Sequence, residues 1–290
     1  MLKAKTATRS NDVLTILDQY SRENKAVDYR RIRAAVKALK PFFTGKATTG
    51  IDIPLCRQYT AHRMGQNVTM STVARELTTL RAACNHALRW KRIMPDERAT
   101  FEIPADLPKR EVWLFKDELR SLIDAADGVM EHFVKIAYGT GSRRRAVETL
   151  EWYQVDFNRR TISLDKRGAR KTNKRRPVVP MGDLYPVLKD LHDRRTNEWV
   201  LGSDRDLLPE FTKLCEACDL LNVIERDGRP AGRITPHILR HSRATHLLED
   251  GVSIYAVSKL LGDNPTTVQR TYGHISMGSL EDELAKSSYL

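Results

Sequence analysis

Hydrophobic residues recur every three or four positions through the first third of the chain, which is the spacing of amphipathic helices. This spacing predicts four helices, at 11–23, 28–40, 54–64 and 71–91. The second of these is expected to stop at Pro41, because proline cannot continue the helical hydrogen bonding. Four short helices with one apolar face each are expected to form a small bundle.

The second half of the chain has a mixed pattern. Helical spacing predicts further helices at 116–126, 130–138, 143–150, 184–195, 207–221, 237–250, 254–261 and from 265 towards Tyr272. Gly251 and Gly262 stand where C-cap glycines belong. Segments 155–164 and 176–179 carry β-forming residues around a very basic middle, which predicts a hairpin or a three-stranded sheet. The expected fold class is therefore mainly α with a small β-sheet (α+β).

Between these two halves the periodicity is lost. Pro95, Pro104 and Pro108 interrupt the pattern, so 95–109 is predicted to be a linker. The predicted organisation is a short basic N-terminus at 1–10, a helical domain at 11–94, this linker, a second domain at 110–275 and a tail at 276–290.

Composition narrows the class of protein. The chain has 290 residues, of which 41% are hydrophobic and 30% charged, enough for real cores. It has no apolar run near the ~20 residues that a membrane span needs, and no signal peptide is evident. The four cysteines are sparse, and the Cys215–Cys218 pair has no second metal-ligand pair at finger spacing, so we expect reduced, buried thiols. These features predict a cytoplasmic location and no membrane partner.

The formal net charge is +12 and the isoelectric point about 9.6. Such an excess favours an anionic polymer as partner, although a basic surface also serves solubility. Arginines are frequent on the exposed faces of the first four predicted helices. Arg31, Arg75 and Arg81 are candidates for contact with DNA.

Several residues suit cleavage of a phosphodiester, which requires a nucleophile, stabilisation of the phosphate charge and a proton for the leaving oxygen. Arg143 follows a glycine turn that opens a helix, where backbone amides also face an anion. His237 and Arg240 are three residues apart and share a helix face, and Tyr272 follows 32 residues after Arg240. Taken singly, each of these residues has an ordinary structural explanation.

A dense basic stretch adds to this set. Between Lys166 and Arg176, seven of eleven residues are Lys or Arg, including Lys171, Lys174 and Arg175. Such a density of positive charge on a predicted β-turn either faces solvent or binds phosphate groups.

Four motifs in order resemble the tyrosine recombinases, the phage integrase family, over about residues 10–275. They are Thr140-Gly141-Ser142-Arg143 with Leu150-Glu151-Trp152, the segment from Lys171 to Pro180, the segment from Pro236 to Leu248 that contains His237 and Arg240, and Leu260-Leu261-Gly262 followed by Tyr272-Gly273-His274. The resemblance implies a helical core-binding domain at 11–94 and a catalytic domain at 110–275.

The resemblance also implies residue roles. Tyr272 would attack the scissile phosphate and become linked to the 3′ phosphate, while Arg143 and Arg240 would clamp the phosphorane. His237 would hydrogen-bond the phosphate or accept the tyrosine proton. Lys171 would protonate the leaving 5′ oxygen, with Lys174 as the alternative. No cofactor, metal or ATP is implied, because the bond energy is kept in the phosphotyrosine.

Two positions depart from the family pattern. Asp263 stands where the family usually has His or Trp, and an ionised carboxylate cannot donate a hydrogen bond to phosphate. We expect Asp263 to cap the helix that begins near Pro265. Ala146 stands where the family often has an acid.

The resemblance implies double-stranded DNA as partner and a homo-tetramer that acts on two DNA sites and forms from a monomer or dimer in solution. It also implies accessory DNA-bending proteins and a location near the nucleoid of a bacterial or phage-infected cell. Only about ten residues precede the first predicted helix, which favours a simple recombinase working on core sites. The tail at 276–290 is expected to dock into a neighbouring subunit, and a frayed terminus is the alternative. Two alternatives remain: a DNA-binding relative weakened in catalysis by Asp263, and a type IB topoisomerase-like enzyme.

Overall fold

The computed structural model describes residues 9–24, 29–105, 112–164, 177–223, 228 and 233–276. The chain divides into two compact units, Met1–Pro108 and Lys109–Leu290. Most of the described residues are helical, and one three-stranded sheet lies in the second unit. The predicted fold class is confirmed.

The first unit is a bundle of four helices, as the apolar spacing predicts. They are α1 (Val13–Glu23), α2 (Tyr29–Phe43), α3 (Ile53–Met64) and α4 (Met70–Arg89). The carboxylates of Asp12 and Asp52 accept hydrogen bonds from the amides of Thr15 and Leu55, both at 2.8 Å, and so cap α1 and α3. The long helix α4 packs against the other three and supplies much of the core.

Helix α2 does not stop at Pro41, so that prediction was wrong. It runs on to Phe43, which is fully buried and packs on Tyr59 with ring centroids 5.3 Å apart. Pro41 removes one hydrogen bond, but it lies in the last turn of the helix. Burial of the aromatic side chains that follow it outweighs that loss.

The segment predicted to be a linker is partly packed. Pro95–Glu97 forms a short 3₁₀ helix, Ala99 is buried, and Phe101 and Ile103 lie against the core of the first unit. The prolines disrupt periodicity without removing apolar contacts, which is why the pattern alone did not reveal this packing. The remainder of the predicted linker, 106–109, lies outside the described residues.

The second unit contains eight helices among its described residues. They are α5 (Lys116–Ala125), α6 (Gly128–Thr140), α7 (Arg144–Glu148), α8 (Tyr185–Asp193), α9 (Leu208–Ala217), α10 (His237–Glu249), α11 (Ile254–Leu261) and α12 (Pro265–Ser276). Each lies within a few residues of a predicted range. Gly251 and Gly262 have positive φ after α10 and α11, as predicted.

The sheet is antiparallel in the order β1 (Val155–Asp156), β2 (Thr161–Ser163) and β3 (Val178–Pro180). Ile162 and Val179 face each other in register and are fully buried against the core. This confirms the three-stranded alternative. The basic stretch at 165–176, with Lys171, Lys174 and Arg175, lies outside the described residues, as does the predicted tail from 277 onwards.

Helix α10 joins two apolar clusters of the second unit. Ile238 and Leu239, near its start, belong to the larger core, which also includes much of α6 and the strands. Ala244 and Leu248, further along, pack with residues of α11 and α12, including Leu261 and Tyr272. The first turns of α10 are therefore fixed from both sides.

The described helices include none that is long and apolar enough to cross a membrane. All four cysteines are free; Cys56, Cys84 and Cys215 are buried within helices, and Cys218 is partly exposed. Buried thiols of this kind behave as small hydrophobic residues.

The turn between α6 and α7 depends on Gly141. Helix α6 extends past the predicted break at Gly139 and ends at Thr140, and Gly141 then takes φ +61°, in the left-handed region. A Cβ at Gly141 would lie 2.8 Å from Leu261 Cδ2. Glycine is therefore required here both by backbone conformation and by close approach.

We expect Gly141→Ala to lower the free energy of unfolding of the second unit by about 2–4 kcal/mol, through left-handed strain plus overpacking. Gly202→Ala is the matched control, because Gly202 also has positive φ but open space around its Cα. It should cost only about 1 kcal/mol. Urea unfolding followed by fluorescence measures both, and equal losses would contradict the packing argument.

Candidate active site

The candidate residues come from three places in the second unit. Arg143 follows the Gly141 turn and is the N-cap residue of α7. His237 and Arg240 lie in the first turn of α10. Asp263 lies between α11 and α12, and Tyr272 lies on α12. The fold brings these five side chains, which span 130 positions, to one region.

Arg240 is fixed in the protein interior. Its side chain is 4% exposed, and its guanidinium donates to the carbonyl oxygens of Gly141 at 2.8 Å and Leu261 at 3.0 Å. Burial lowers the pKa of Arg240 from its ordinary value, while the Asp263 carboxylate raises it. The Arg240 guanidinium therefore links the end of α6 to the end of α11, and these hydrogen bonds fix its position.

Asp263 bridges the two arginines. Its Oδ2 accepts from Arg240 Nη2 at 2.5 Å and its Oδ1 from Arg143 Nη2 at 2.9 Å. The prediction that Asp263 caps α12 was wrong. Asn264 has that place, since its side-chain oxygen accepts from the amide of Thr266 at 3.0 Å. The carboxylate contributes more to stability through charge-assisted hydrogen bonds from two guanidinium groups than it would by capping a helix.

The two arginines differ in accessibility. The Arg143 side chain is 51% exposed, against 4% for Arg240. The Arg240 guanidinium is thus part of the protein interior. The Arg143 guanidinium lies at the surface, and both donate hydrogen bonds to the Asp263 carboxylate.

Tyr272 is held in a specific position on α12. It is 8% exposed and packs with Val268 and Leu261, and its Oη lies 2.6 Å from His241 Nδ1. Burial raises the pKa of Tyr272 to about 12, with Arg240 lowering it and Asp263 raising it. The phenol is therefore protonated at neutral pH and needs a proton acceptor before it can act as a nucleophile.

His237 lies at the edge of this group. Its ring packs edge-on against the ring of His241, with centroids 4.6 Å apart. Desolvation lowers the pKa of His237, as do the charges of Arg240 and Arg143, while Asp263 raises it. The imidazole is therefore neutral at pH 7 and can either donate or accept a hydrogen bond.

His241 has no role among the predicted site residues, although it lies one helical turn after His237. The spacing of four residues on one helix face was the signal that could have identified it. Glu148 was not predicted either; it is buried and accepts hydrogen bonds from the Leu207 amide at 2.9 Å and from Arg145 at 3.1 Å. Glu148 thereby anchors α7, and hence Arg143, to the chain before α9.

The candidate DNA-contacting arginines lie in the first unit. Arg31 is on α2, Arg75 and Arg81 are on α4, and all three are exposed. Arg81 also lines a surface cleft of about 400 Å³ with Asn85, Arg98 and Thr100. No group of three or more His, Cys, Asp or Glu residues suited to a metal ion occurs within the described ranges.

Comparison with known proteins identifies the family. The model of the phage integrase family matches residues 112–278, more than half of the chain. The chain belongs to the phage integrase family. Arg143, Arg240 and Tyr272 all lie within the matched range.

Curated relatives extend the likeness into the first unit. Tyrosine recombinase XerC of Pediococcus pentosaceus is 24% identical over 245 residues, which cover 79% of each chain. Tyrosine recombinase XerD of Staphylococcus aureus is 26% identical over 244 residues, covering 79% of this chain and 80% of the relative.

Solved structures share the fold. The Tn1549 transposon integrase in complex with a circular intermediate DNA has a TM-score of 0.76 at 16% identity, covering 96% of this chain and all of that one. A lambda integrase dimer bound to a COC′ core site has a TM-score of 0.67 at 16% identity, covering 89% of this chain and 76% of that one. As a tyrosine recombinase of this family, the protein is a site-specific recombinase that cleaves and rejoins DNA.

The Asp263 bridge should stabilise the second unit. We expect Asp263→Asn to lower the free energy of unfolding by about 1–3 kcal/mol, because buried Arg240 loses its charged acceptor. Asp250→Asn is the control, since Asp250 pairs with Lys116 where both side chains are more than half exposed. The control should cost less than about 1 kcal/mol in the same urea titration. Similar losses for the two variants would contradict a structural role of the bridge.

The pKa of His237 provides a separate test. Because it lies below the unfolded value of 6.5, protonation favours the unfolded chain. The contribution of His237 to stability is therefore present above pH 6.5 and is lost as the pH falls. An NMR titration of the His237 ring should give a midpoint below 6.5, and Asp263→Asn should lower it further. A midpoint above 6.5 would show that the carboxylate outweighs desolvation.

Proposed function

We propose that Tyr272 cuts one DNA strand by attacking the scissile phosphate, which Arg143 and Arg240 hold, and that a 3′-phosphotyrosine then carries the strand to its new partner. The observation that supports this most directly is the convergence of both guanidinium groups on the two oxygens of Asp263, at 2.9 and 2.5 Å. A phosphodiester presents the same pair of anionic oxygens.

The arginine pair supplies what the transition state needs. Negative charge accumulates on the equatorial oxygens of the phosphorus during attack, and fixed donors stabilise it without reorganisation. Arg240 is already fixed by the carbonyl oxygens of Gly141 and Leu261. Arg143, half exposed, is the first of the two to meet an incoming strand. His237, neutral at the edge of the group, then adds a hydrogen bond to the phosphate.

In this mechanism the phosphate replaces Asp263 as the partner of the two guanidinium groups. Two anions cannot share the site without repulsion, so the carboxylate either turns away or takes up a proton as the strand binds. Asp263 therefore keeps the buried arginine neutralised while the site is empty. This assigns it a role different from that of the His or Trp expected at this position.

The leaving group is the 5′ oxygen of the cleaved strand. Lys171 protonates it, with Lys174 as the alternative, since both lie in the basic stretch between β2 and β3. When a 5′ hydroxyl of the partner DNA attacks the phosphotyrosine, the same groups act in reverse. The number of phosphodiester bonds is unchanged, so the exchange needs no ATP.

Assembly follows from the need to exchange strands between two duplexes. We propose that four copies act on two DNA sites, as a tetramer does in the lambda integrase structure bound to a Holliday junction. The first unit, with exposed Arg31, Arg75 and Arg81, is the core-binding domain that contacts DNA beside the cleaved site. The segment at 276–290 docks into a neighbouring subunit, and the enzyme works at the nucleoid in the cytoplasm.

A covalent-capture experiment tests the nucleophile and finds the target sequence at the same time. The protein is incubated with nicked duplexes that carry a randomised central region, and protein–DNA adducts are recovered under denaturing conditions and sequenced. Wild-type protein should enrich one sequence, and Tyr272→Phe should give no adduct because it lacks the attacking oxygen. Tyr255→Phe, which changes an exposed tyrosine of α11, is the matched control and should behave as wild type.

Two results would overturn the assignment. An adduct that persists in Tyr272→Phe would place the nucleophile elsewhere. Absence of any wild-type adduct, with DNA binding shown by gel shift, would leave a protein that binds DNA without cutting it.

A further inference from the structure

The hydroxyl of Tyr272 is hydrogen-bonded to His241, and this contact involves the atom that has to lose a proton. Tyr272 Oη and His241 Nδ1 are 2.6 Å apart, at the short end of the range for such bonds. The two rings lie with centroids 5.7 Å apart and a tilt of 54°. His237, in contrast, packs against the ring of His241 rather than against the tyrosine hydroxyl.

We propose that His241 accepts the proton of Tyr272 during strand cleavage and returns it when the phosphotyrosine is resolved. The inference rests on the proposed role of Tyr272 as nucleophile. It leaves His237 free to contact the phosphate, so the two imidazoles on α10 have separate tasks.

The proton transfers balance in both directions. In cleavage the Oη–H bond breaks and an Nδ1–H bond forms, while Oη bonds to phosphorus and the bond from phosphorus to the 5′ oxygen breaks. The 5′ oxygen takes its proton from Lys171. In rejoining, the attacking 5′ hydroxyl gives a proton to Lys171, and the departing Tyr272 oxygen takes one from the His241 imidazolium.

The incoming phosphate itself favours proton transfer to His241. Within the described residues, the His241 ring packs against the ring of His237 and its Nδ1 meets the hydroxyl of Tyr272. An incoming phosphate adds negative charge, which stabilises the imidazolium and so favours removal of the tyrosine proton.

Burial explains why a dedicated acceptor is needed. A phenol that is 8% exposed meets few waters, and its pKa of about 12 leaves little phenolate at neutral pH. General bases placed within hydrogen-bond reach typically accelerate such steps by about 10²–10⁴-fold. The distance between Oη and Nδ1 meets that requirement without movement of α10 or α12.

The test measures single-turnover cleavage of the duplex recovered by covalent capture. His241→Gln and His241→Phe should cleave about 100-fold more slowly than wild type or worse. His132→Gln, a change on α6 away from this group, is the control and should cleave at the wild-type rate. Thermal melting and gel shifts on the same duplex establish that each variant folds and binds DNA.

Two chemical substitutions separate a proton acceptor from a structural residue. Replacing Tyr272 by 3,5-difluorotyrosine makes the phenol more acidic, so it should restore much of the rate of His241→Gln and flatten its pH profile. A 5′-bridging phosphorothiolate at the scissile position supplies a leaving group that needs no proton. It should rescue Lys171→Ala but not His241→Gln.

A measurement on the unmodified protein does not depend on the folding of any variant. The ¹⁵N shift of His241 Nδ1 should be that of an unprotonated acceptor nitrogen and should change in Tyr272→Phe. The proposal is overturned if Nδ1 carries the proton, if His241→Gln cleaves within threefold of wild type, or if difluorotyrosine gives no rescue. Persistence of adducts in Tyr272→Phe would instead overturn the nucleophile itself, so the two failures are distinguishable.

Discussion

One carboxylate between two guanidinium groups organises the second unit of the chain. Asp263 joins the start of α7, the first turns of α10 and the turn between α11 and α12, through bonds of 2.9 and 2.5 Å. Arg240 is almost fully buried, so without an anion its charge would be left uncompensated in the interior. The same two guanidinium groups are those that we propose hold the scissile phosphate. In that proposal, the contacts with Asp263 both neutralise Arg240 and keep the two guanidinium groups in place for the phosphate.

The position of α10 makes this arrangement rigid. The helix packs into the larger core through Ile238 and Leu239 and into the smaller one through Ala244 and Leu248. Arg240 and His241 lie on the turn between these two contacts, and His237 directly precedes the first of them. The backbone that carries Arg240 and His241 is therefore held by packing on both sides, which fixes the positions of their side chains.

The local pattern of apolar and polar residues was sufficient to predict most of the secondary structure. It failed where the burial of side chains determined the local conformation. Helix α11 was predicted to the residue, because Ser253, Ile254 and Gly262 provide a cap, an apolar start and a left-handed end. Helix α2 passed Pro41 because Phe43 is buried, and Ala99 packed within an expected linker. These errors share one cause, since the contacts that reverse a local preference come from residues distant in sequence.

Periodicity, caps and motif spacing are local properties, so they were enough to predict the fold class, the order of the motifs and the chemical identity of the candidate residues. Tertiary structure alone decided that Asp263 pairs with both arginines while Asn264 caps α12, and that the hydroxyl of Tyr272 meets His241. These partners are 23 to 120 positions apart. Only the packing of α10 against α6, α11 and α12 sets such distances, and hydrogen bonds depend on tenths of an ångström.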